Sequence, residues 1–301
     1  MTNRDLYAFI KTHDFPIVTA TDALSVPRGS YYRYCNHEAT PTEKRRAEIK
    51  AQLHVAYKAS KGRYGAPKLT FMINQQRKDR VGQKLIQKLM REEGLCSITR
   101  RKYRATPAAN PVAERNNLLA QDFSTTNINQ KWAGDITYVK TAKDGWTYLC
   151  TFMDLFSRRI VGFAYGRDMT EPLVIKAFSN ALINRDVYEG LTVHTDLGSQ
   201  FTGKDFEEIL VSVGAKHSYS RKATPYDNAI IESFHASFKK EEHYVYPENY
   251  RTFEQARTNI FEYIEKWYNR TRIHTGLEMM SPVQYELTHL SGQMMAWSAL
   301  P

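Results

Sequence analysis

Cysteine is scarce in this chain of 301 residues, and Cys35, Cys96 and Cys150 stand far apart with no C-x-x-C pair. That argues against a disulfide framework and a thiolate zinc site, and it fits a reducing cytoplasm. Long apolar runs are missing too. No stretch approaches the roughly 20 residues needed to cross a bilayer, so no membrane segment is expected. Met1-Thr-Asn-Arg-Asp-Leu6 leads into no apolar signal-peptide core, and no internal repeat or low-complexity tract occurs. What remains is an ordinary globular composition, 42% hydrophobic and 25% charged, in a chain long enough for about two domains.

Acidic residues are also few, but only at the front. Residues 1–120 hold 23 Lys+Arg against 10 Asp+Glu, whereas 121–301 hold 19 against 22, so the net charge of +10 divides into +13 and −3. A basic front can neutralise phosphates, and a mildly acidic back holds carboxylates that need metal ions before a polyanion can approach. A merely solvated basic surface is the plainer alternative.

Patterning changes at Ala105-Thr-Pro-Ala-Ala-Asn-Pro-Val112, where two prolines and small residues mark a linker. Before it the chain reads as mostly helical. Pro67 suits the first turn of a helix running to about Gln76, and the segment 81–93 ends at Gly94, a good C-terminal cap. In that segment Val81, Leu85 and Leu89, with Ile86 and Met90, form one buried stripe. Lys84, Lys88 and Arg91 share another face, which suits insertion into a DNA groove or, more blandly, a solvated surface. The basic cluster Arg100-Arg101-Lys102-Tyr103-Arg104 favours DNA contact. A weaker helix-turn-helix pattern lies at 20–32.

After the linker, 132–141, 146–156 and 160–165 are rich in β-branched and aromatic residues, with a hairpin turn at Asp144-Gly145. Helix-like and strand-like stretches then alternate: helix 171–182, strand 191–195, helix 204–213, strand 216–220, and helices at about 228–242 and 252–267. The expectation is an α/β domain with a mixed five-stranded sheet.

Three acids occupy distinctive contexts: Asp135 in Trp132-Ala-Gly-Asp-Ile-Thr-Tyr138, Asp196 in His194-Thr-Asp-Leu-Gly-Ser-Gln200, and Glu232 in Asp227-Asn-Ala-Ile-Ile-Glu-Ser-Phe234. Asp135 falls within the first strand, Asp196 at a strand end that in open α/β sheets lines the ligand crevice, and Glu232 in the first turn of a helix. Carboxylate oxygens are the ligands hard divalent cations prefer, and phosphodiester chemistry commonly uses two such ions. Lys239 lies two turns beyond Glu232, placed to hold a phosphate. His235, one turn on, reads mainly as a DNA-facing or exposed residue, with a role behind the acids as the lesser alternative. Each acid alone is more often a turn former or cap. Asp154 competes on spacing, and Asp227 reads as a helix cap.

Together these motifs, with Lys239, resemble the DDE core of bacterial insertion-sequence transposases, which is related to retroviral integrases and has the ribonuclease-H-like fold. The 35 residues between Asp196 and Glu232 match that family's spacing. Asp154-Leu-Phe-Ser-Arg-Arg-Ile-Val-Gly162, Trp267-Tyr-Asn-Arg-Thr-Arg-Ile-His274 and Ser281-Pro282 are similar to segments of the second-frame (OrfB) protein of the insertion-sequence-three group. So is the front from Leu89-Met-Arg-Glu-Glu-Gly-Leu95 to Arg104. Thr195, where the family often has Ser, and His274-Thr-Gly-Leu-Glu278 are departures that leave the triad untouched.

The resemblance implies a helical DNA-binding region over 1–104, helix-turn-helix-like from about 60, a linker over 105–125, an integrase-type catalytic core with C-terminal helices over 126–287, and a tail over 288–301. It implies Asp135, Asp196 and Glu232 as catalytic metal ligands for two Mg²⁺ or Mn²⁺ ions, with Asp154 structural. The implied reaction is cleavage at element ends that frees a 3′-OH, followed by strand transfer, with no covalent enzyme–DNA intermediate and with replicative excision through a circle.

DNA (the element's terminal repeats and a target) and further copies of the chain are the expected partners, in a bacterial cytoplasm and on the nucleoid. Family members often act as a frameshift fusion with an upstream helix-turn-helix and leucine zipper. No sustained heptad pattern precedes residue 60, so this chain is expected to be the second-frame product. Rival readings are a plain nuclease on the same fold, a DNA-binding repressor with a dead core and, remotely, a carboxylate-pair glycosidase.

Overall fold

The β-branched and aromatic runs pair as their alternation demands. In a computed structural model that describes residues 2–13, 15–99, 116–187, 190–221 and 225–289, β1 (Lys131–Thr141), β2 (Gly145–Asp154) and β3 (Ile160–Gly166) form an antiparallel meander. Gly145, at φ 75, closes the first hairpin. The chain then crosses by α7 (Glu171–Asn184) to β4 (Thr192–Thr195) and by α8 (Lys204–Ser212) to β5 (Lys216–Tyr219), both parallel to β1. The sheet order β3-β2-β1-β4-β5 is the expected mixed five-stranded sheet of a ribonuclease-H-like core.

Period-two alternation gives each face its own core. Trp132, Cys150, Phe152 and Val193 pack against Val174, Phe178 and Phe206 of the crossover helices. Ala133, Val139, Leu149 and Met153 face the other way, against α9 (Ala229–Phe238) and α10 (Phe253–Phe261). Both of these helices run on into wider π turns, Lys239–His243 and Glu262–Tyr268, where the sequence pattern reads as simple helix.

On the first face β3 and α7 come close enough that Gly162 has no room for a side chain. A Cβ there would lie 2.4 Å from the Ala177 carbonyl oxygen and 2.4 Å from the Ala181 backbone nitrogen. Gly162→Ala is therefore expected to cost about 1–3 kcal/mol, because backbone must move rather than a flexible side chain. A melting temperature within 1 °C of the parent's would refute that reading.

The front of the chain is helical: α1 (Asn3–Thr12), α2 (Ile17–Ala23) and α3 (Arg28–Cys35) share a small core of Tyr7, Ile10, Val26 and Tyr31. A capping box of Thr40 and Glu43 with Pro41 at the first position starts α4 (Pro41–Ala59). α5 (Ala66–Gln75) and α6 (Gln83–Glu92) complete a three-helix unit. α6 begins two residues after Val81, whose N–H and C=O are both held by the Asn74 amide, so Val81 is buried outside the helix.

This unit shares one hydrophobic core with the C-terminal helices rather than hanging on a linker. Arg63 donates to the Glu241 carbonyl and pairs with Glu242 at 2.5 Å, its guanidinium 4.5 Å from the Trp267 ring centre. Tyr64 accepts from the Ile273 N–H at 2.8 Å. The end of the expected linker is likewise anchored: Leu119 is buried and its N–H donates to the Ser218 hydroxyl of β5. Arg100, Arg101, Lys102 and Arg104, and linker residues 105–115, lie outside the described residues.

Candidate active site

Asp135 sits mid-strand in β1, directly opposite Thr151 of β2, on the face that meets α9. Asp196 follows the last residue of β4, the neighbour parallel to β1, and continuing that strand's alternation from His194 brings it to the same face. Glu232 stands in the first turn of α9. Strand register and helix packing thus bring together three acids widely separated in sequence. Asp135 acts on both of the others, raising the carboxyls of Asp196 and Glu232.

Burial is the larger cause in each case. Asp196 is pushed up to about 6 from the usual 3.8, by burial first and the Asp135 charge second, against a lowering hydrogen bond from the Gly198 N–H. Its side chain nevertheless keeps an open side to solvent, so screening weakens the effect. Glu232 is raised by burial and Asp135 and lowered by His235. A folded-state pKa above the unfolded one makes the folded state hold the proton more tightly, so stability falls as pH rises from about 4 to about 6 and then levels. Asp196→Asn is expected to flatten that slope in chelator. It should also make the metal-free chain more stable at pH 7, by no more than about 1 kcal/mol after screening. Parallel melting curves for parent and variant from pH 4 to 7 would contradict this.

The donor chemistry fits a hard divalent cation: all oxygen, with the Asp135 charge acting against both other acids and with His235 and Lys239 beside Asp135, the Lys239 ammonium being lowered by burial and raised by Asp135. Among the described residues, however, no three His, Cys, Asp or Glu groups stand in an arrangement that would hold one ion. One oxygen of each aspartate is engaged by nearby backbone: Asp135 Oδ1 accepts from the Ile136 N–H at 2.8 Å and Asp196 Oδ1 from the Gly198 N–H at 2.9 Å.

His235 departs from the expected exposed, DNA-facing role. It is 5% exposed, with Nδ1 3.2 Å from Asp135 Oδ2 and Nε2 2.9 Å from the Thr151 hydroxyl. A carboxylate can only accept, so Nδ1 carries the proton toward it. The strand residue opposite Asp135 thus fixes the ring that fixes Asp135. The i+3 spacing from Glu232 was the only sequence signal.

The competitors resolve differently. Asp154, wholly buried at the far end of β2, accepts from the Asn129 and Phe156 N–H groups at 2.7 and 2.8 Å and lies apart from the site, as a structural residue would. Asp227 is not the expected cap. It is buried and accepts from Arg221, Asn117 and Gln121, tying the segment before α9 to the chain entering the sheet domain. On α6, Lys84, Lys88 and Arg91 are all exposed on one side, opposite the buried Ile86, Leu89 and Met90.

Comparison with known proteins matches family models to three stretches of the chain. A family model described as integrase core domain matches residues 126–225, a second one of that description matches 213–282, and an HTH-like domain model matches 44–103. The chain is 36% identical over 294 residues to the transposase InsF for insertion sequence IS3A of Escherichia coli strain K12, spanning 95% of this chain and 99% of that protein. It is 39% identical over 240 residues to the transposase for insertion sequence element IS904 of Lactococcus lactis, spanning 79% and 92%. Among solved structures, the HTLV-2 integrase catalytic core domain in complex with magnesium overlaps 53% of this chain and 97% of its own, at TM-score 0.41 and 18% identity.

Proposed function

We propose that this chain, which belongs to the IS3 family of insertion-sequence transposases, uses Asp135, Asp196 and Glu232 as its catalytic carboxylates. It is a transposase, a metal-dependent polynucleotidyl transferase that acts on DNA through an integrase core and an HTH-like domain. The observation that most supports the residue assignment is that Asp135 and Asp196 share the sheet face against which α9, carrying Glu232 in its first turn, packs.

In this reading the three carboxylates hold two Mg²⁺ or Mn²⁺ ions, which when bound would acidify the attacking hydroxyl and stabilise the leaving oxygen. The chain's own groups do the positioning. His235 orients Asp135, and Lys239 offers its ammonium to a phosphate of the strand being cut. Lys84, Lys88 and Arg91 on α6, with the run Arg100, Arg101, Lys102 and Arg104, grip DNA at the element end. The working form is a homo-oligomer on DNA, made with the fusion to an upstream-frame helix-turn-helix/leucine-zipper protein. No helix among the described residues is long and apolar enough to cross a membrane.

Incubating the purified chain and the fusion with labelled element ends and Mg²⁺ tests the reading: strand-joined product supports it. Product that stops at hydrolysis by both would favour a plain nuclease, and binding without cleavage a repressor. His235→Ala should lower joining about 10–100-fold and raise the Mg²⁺ concentration required, as loss of a group that orients a metal ligand does. Unchanged Mg²⁺ dependence would reduce His235 to a packing residue.

A further inference from the structure

Helix α9 borders a second polar feature that the carboxylate site does not use. Ser233 and Ser237 of α9, Lys68 of α5, Arg158 of the β2–β3 turn, and Arg272 and His274 of the closing segment line a cavity of about 400 Å³. Three cations therefore meet there. The acid that acts on Lys68 and Arg272, Glu241, is committed to Arg272 at 2.7 Å and to the Trp267 N–H at 3.4 Å. Neither Lys68 nor Arg158 has a carboxylate within ion-pair distance among the described residues.

The surplus positive charge registers on its neighbours. Lys68 is lowered to about 8 by burial and by Arg272, and His274 to about 2 by burial, Arg272, Lys68 and Arg158. Arg158 is held at φ 60, a left-handed conformation that residues with side chains seldom adopt, with its side chain at the cavity. Clustered cations without acids are costly in a protein unless an anion joins them.

We infer that this cavity binds a phosphate of the DNA strand that crosses α9 beside Glu232, an assignment of ligand that rests on the transposase reading. Ser233, exposed at the rim, follows Glu232 directly, so the two side chains point about 100° apart on the helix. At side-chain radius that is about 10 Å, or about three nucleotides of strand at roughly 3.4 Å each. A strand whose scissile phosphate lies at the carboxylates thus reaches the cavity within a few nucleotides.

The test measures binding, not cleavage. In the full chain carrying Glu232→Gln, equilibrium binding of an element-end duplex and of an unrelated duplex is followed from 50 to 300 mM salt. Lys68→Gln with Arg158→Gln is expected to weaken both about tenfold at 150 mM and to make the slope of log K against log salt shallower by about 1–2. Lys68→Arg with Arg158→Lys should keep affinity and slope. An unchanged slope in the Gln pair, or an equal loss in the charge-conserving pair, overturns the proposal. So does stabilisation by inorganic phosphate that depends on Lys68 and Arg158 without any change in DNA binding, which would make the cavity a small-anion site. Because Glu232 is already neutral, failure here is distinct from failure of the catalytic assignment, which appears as absent strand joining with DNA binding intact.

Discussion

Glu232→Gln is expected to lower strand joining by about three orders of magnitude or more while leaving DNA binding and the fold intact. The expectation follows from charge. Gln keeps the shape and one acceptor but removes a full negative charge from a site whose acids already disfavour one another. Loss of one metal-ligating carboxylate removes several kcal/mol of transition-state stabilisation, and about 4 kcal/mol corresponds to a thousandfold. The metal-free variant should melt no lower than the parent, since a raised carboxylate contributes nothing favourable when ionised. Joining within tenfold of the parent would remove Glu232 from the catalytic set.

Breaking the Arg63–Glu242 pair should produce the largest stability loss. Both side chains are almost fully enclosed, 2% and 8% exposed, and Arg63 also lies over Trp267. Arg63→Ala leaves Glu242 buried without its cation, a situation that costs about 3–5 kcal/mol. The Glu242 carboxyl is already raised by burial, with Arg63 the main opposing influence. Without Arg63 it rises further, so the folded state binds that proton more tightly and the variant should regain stability as pH is lowered toward 5. Arg63→Met with Glu242→Leu removes both charges and should recover most of the loss. Thermal melts of the three proteins at pH 5 and 7.5 decide it: equal deficits in the single and double variants would mean that packing over Trp267, not the ion pair, holds the α4–α6 unit in place.

The strands, both crossover helices and the α6 stripe were legible because each is a local pattern: alternation for strands, 3.6-residue periodicity for helices, Gly94 and Gly145 for stops and turns. His235 was misread because periodicity says which residues share a helix face, not what that face meets. Ranked as exposed, it is enclosed by Thr151 and Asp135 from the neighbouring sheet. Asp227 was misread for a similar reason. A helix-preceding Asp looks like a cap until Asn117 and Gln121, from a distant part of the chain, converge on it with the nearby Arg221. The π turn at Lys239–His243 carries no simple sequence signature, yet it is where two consecutive acids, Glu241 and Glu242, are both buried, each with its own arginine.

By itself the sequence determined the order of the sheet strands and crossover helices, the basic and mostly helical front, and three acids in motifs specific enough to name a family, since these depend on neighbours along the chain. Which acids share a face, which histidine stands behind Asp135, where the front helices dock and which cations are left without acids were decided only by tertiary structure. Those are distances between residues far apart in the chain, set by sheet register and helix packing, and desolvation and charge act through those distances.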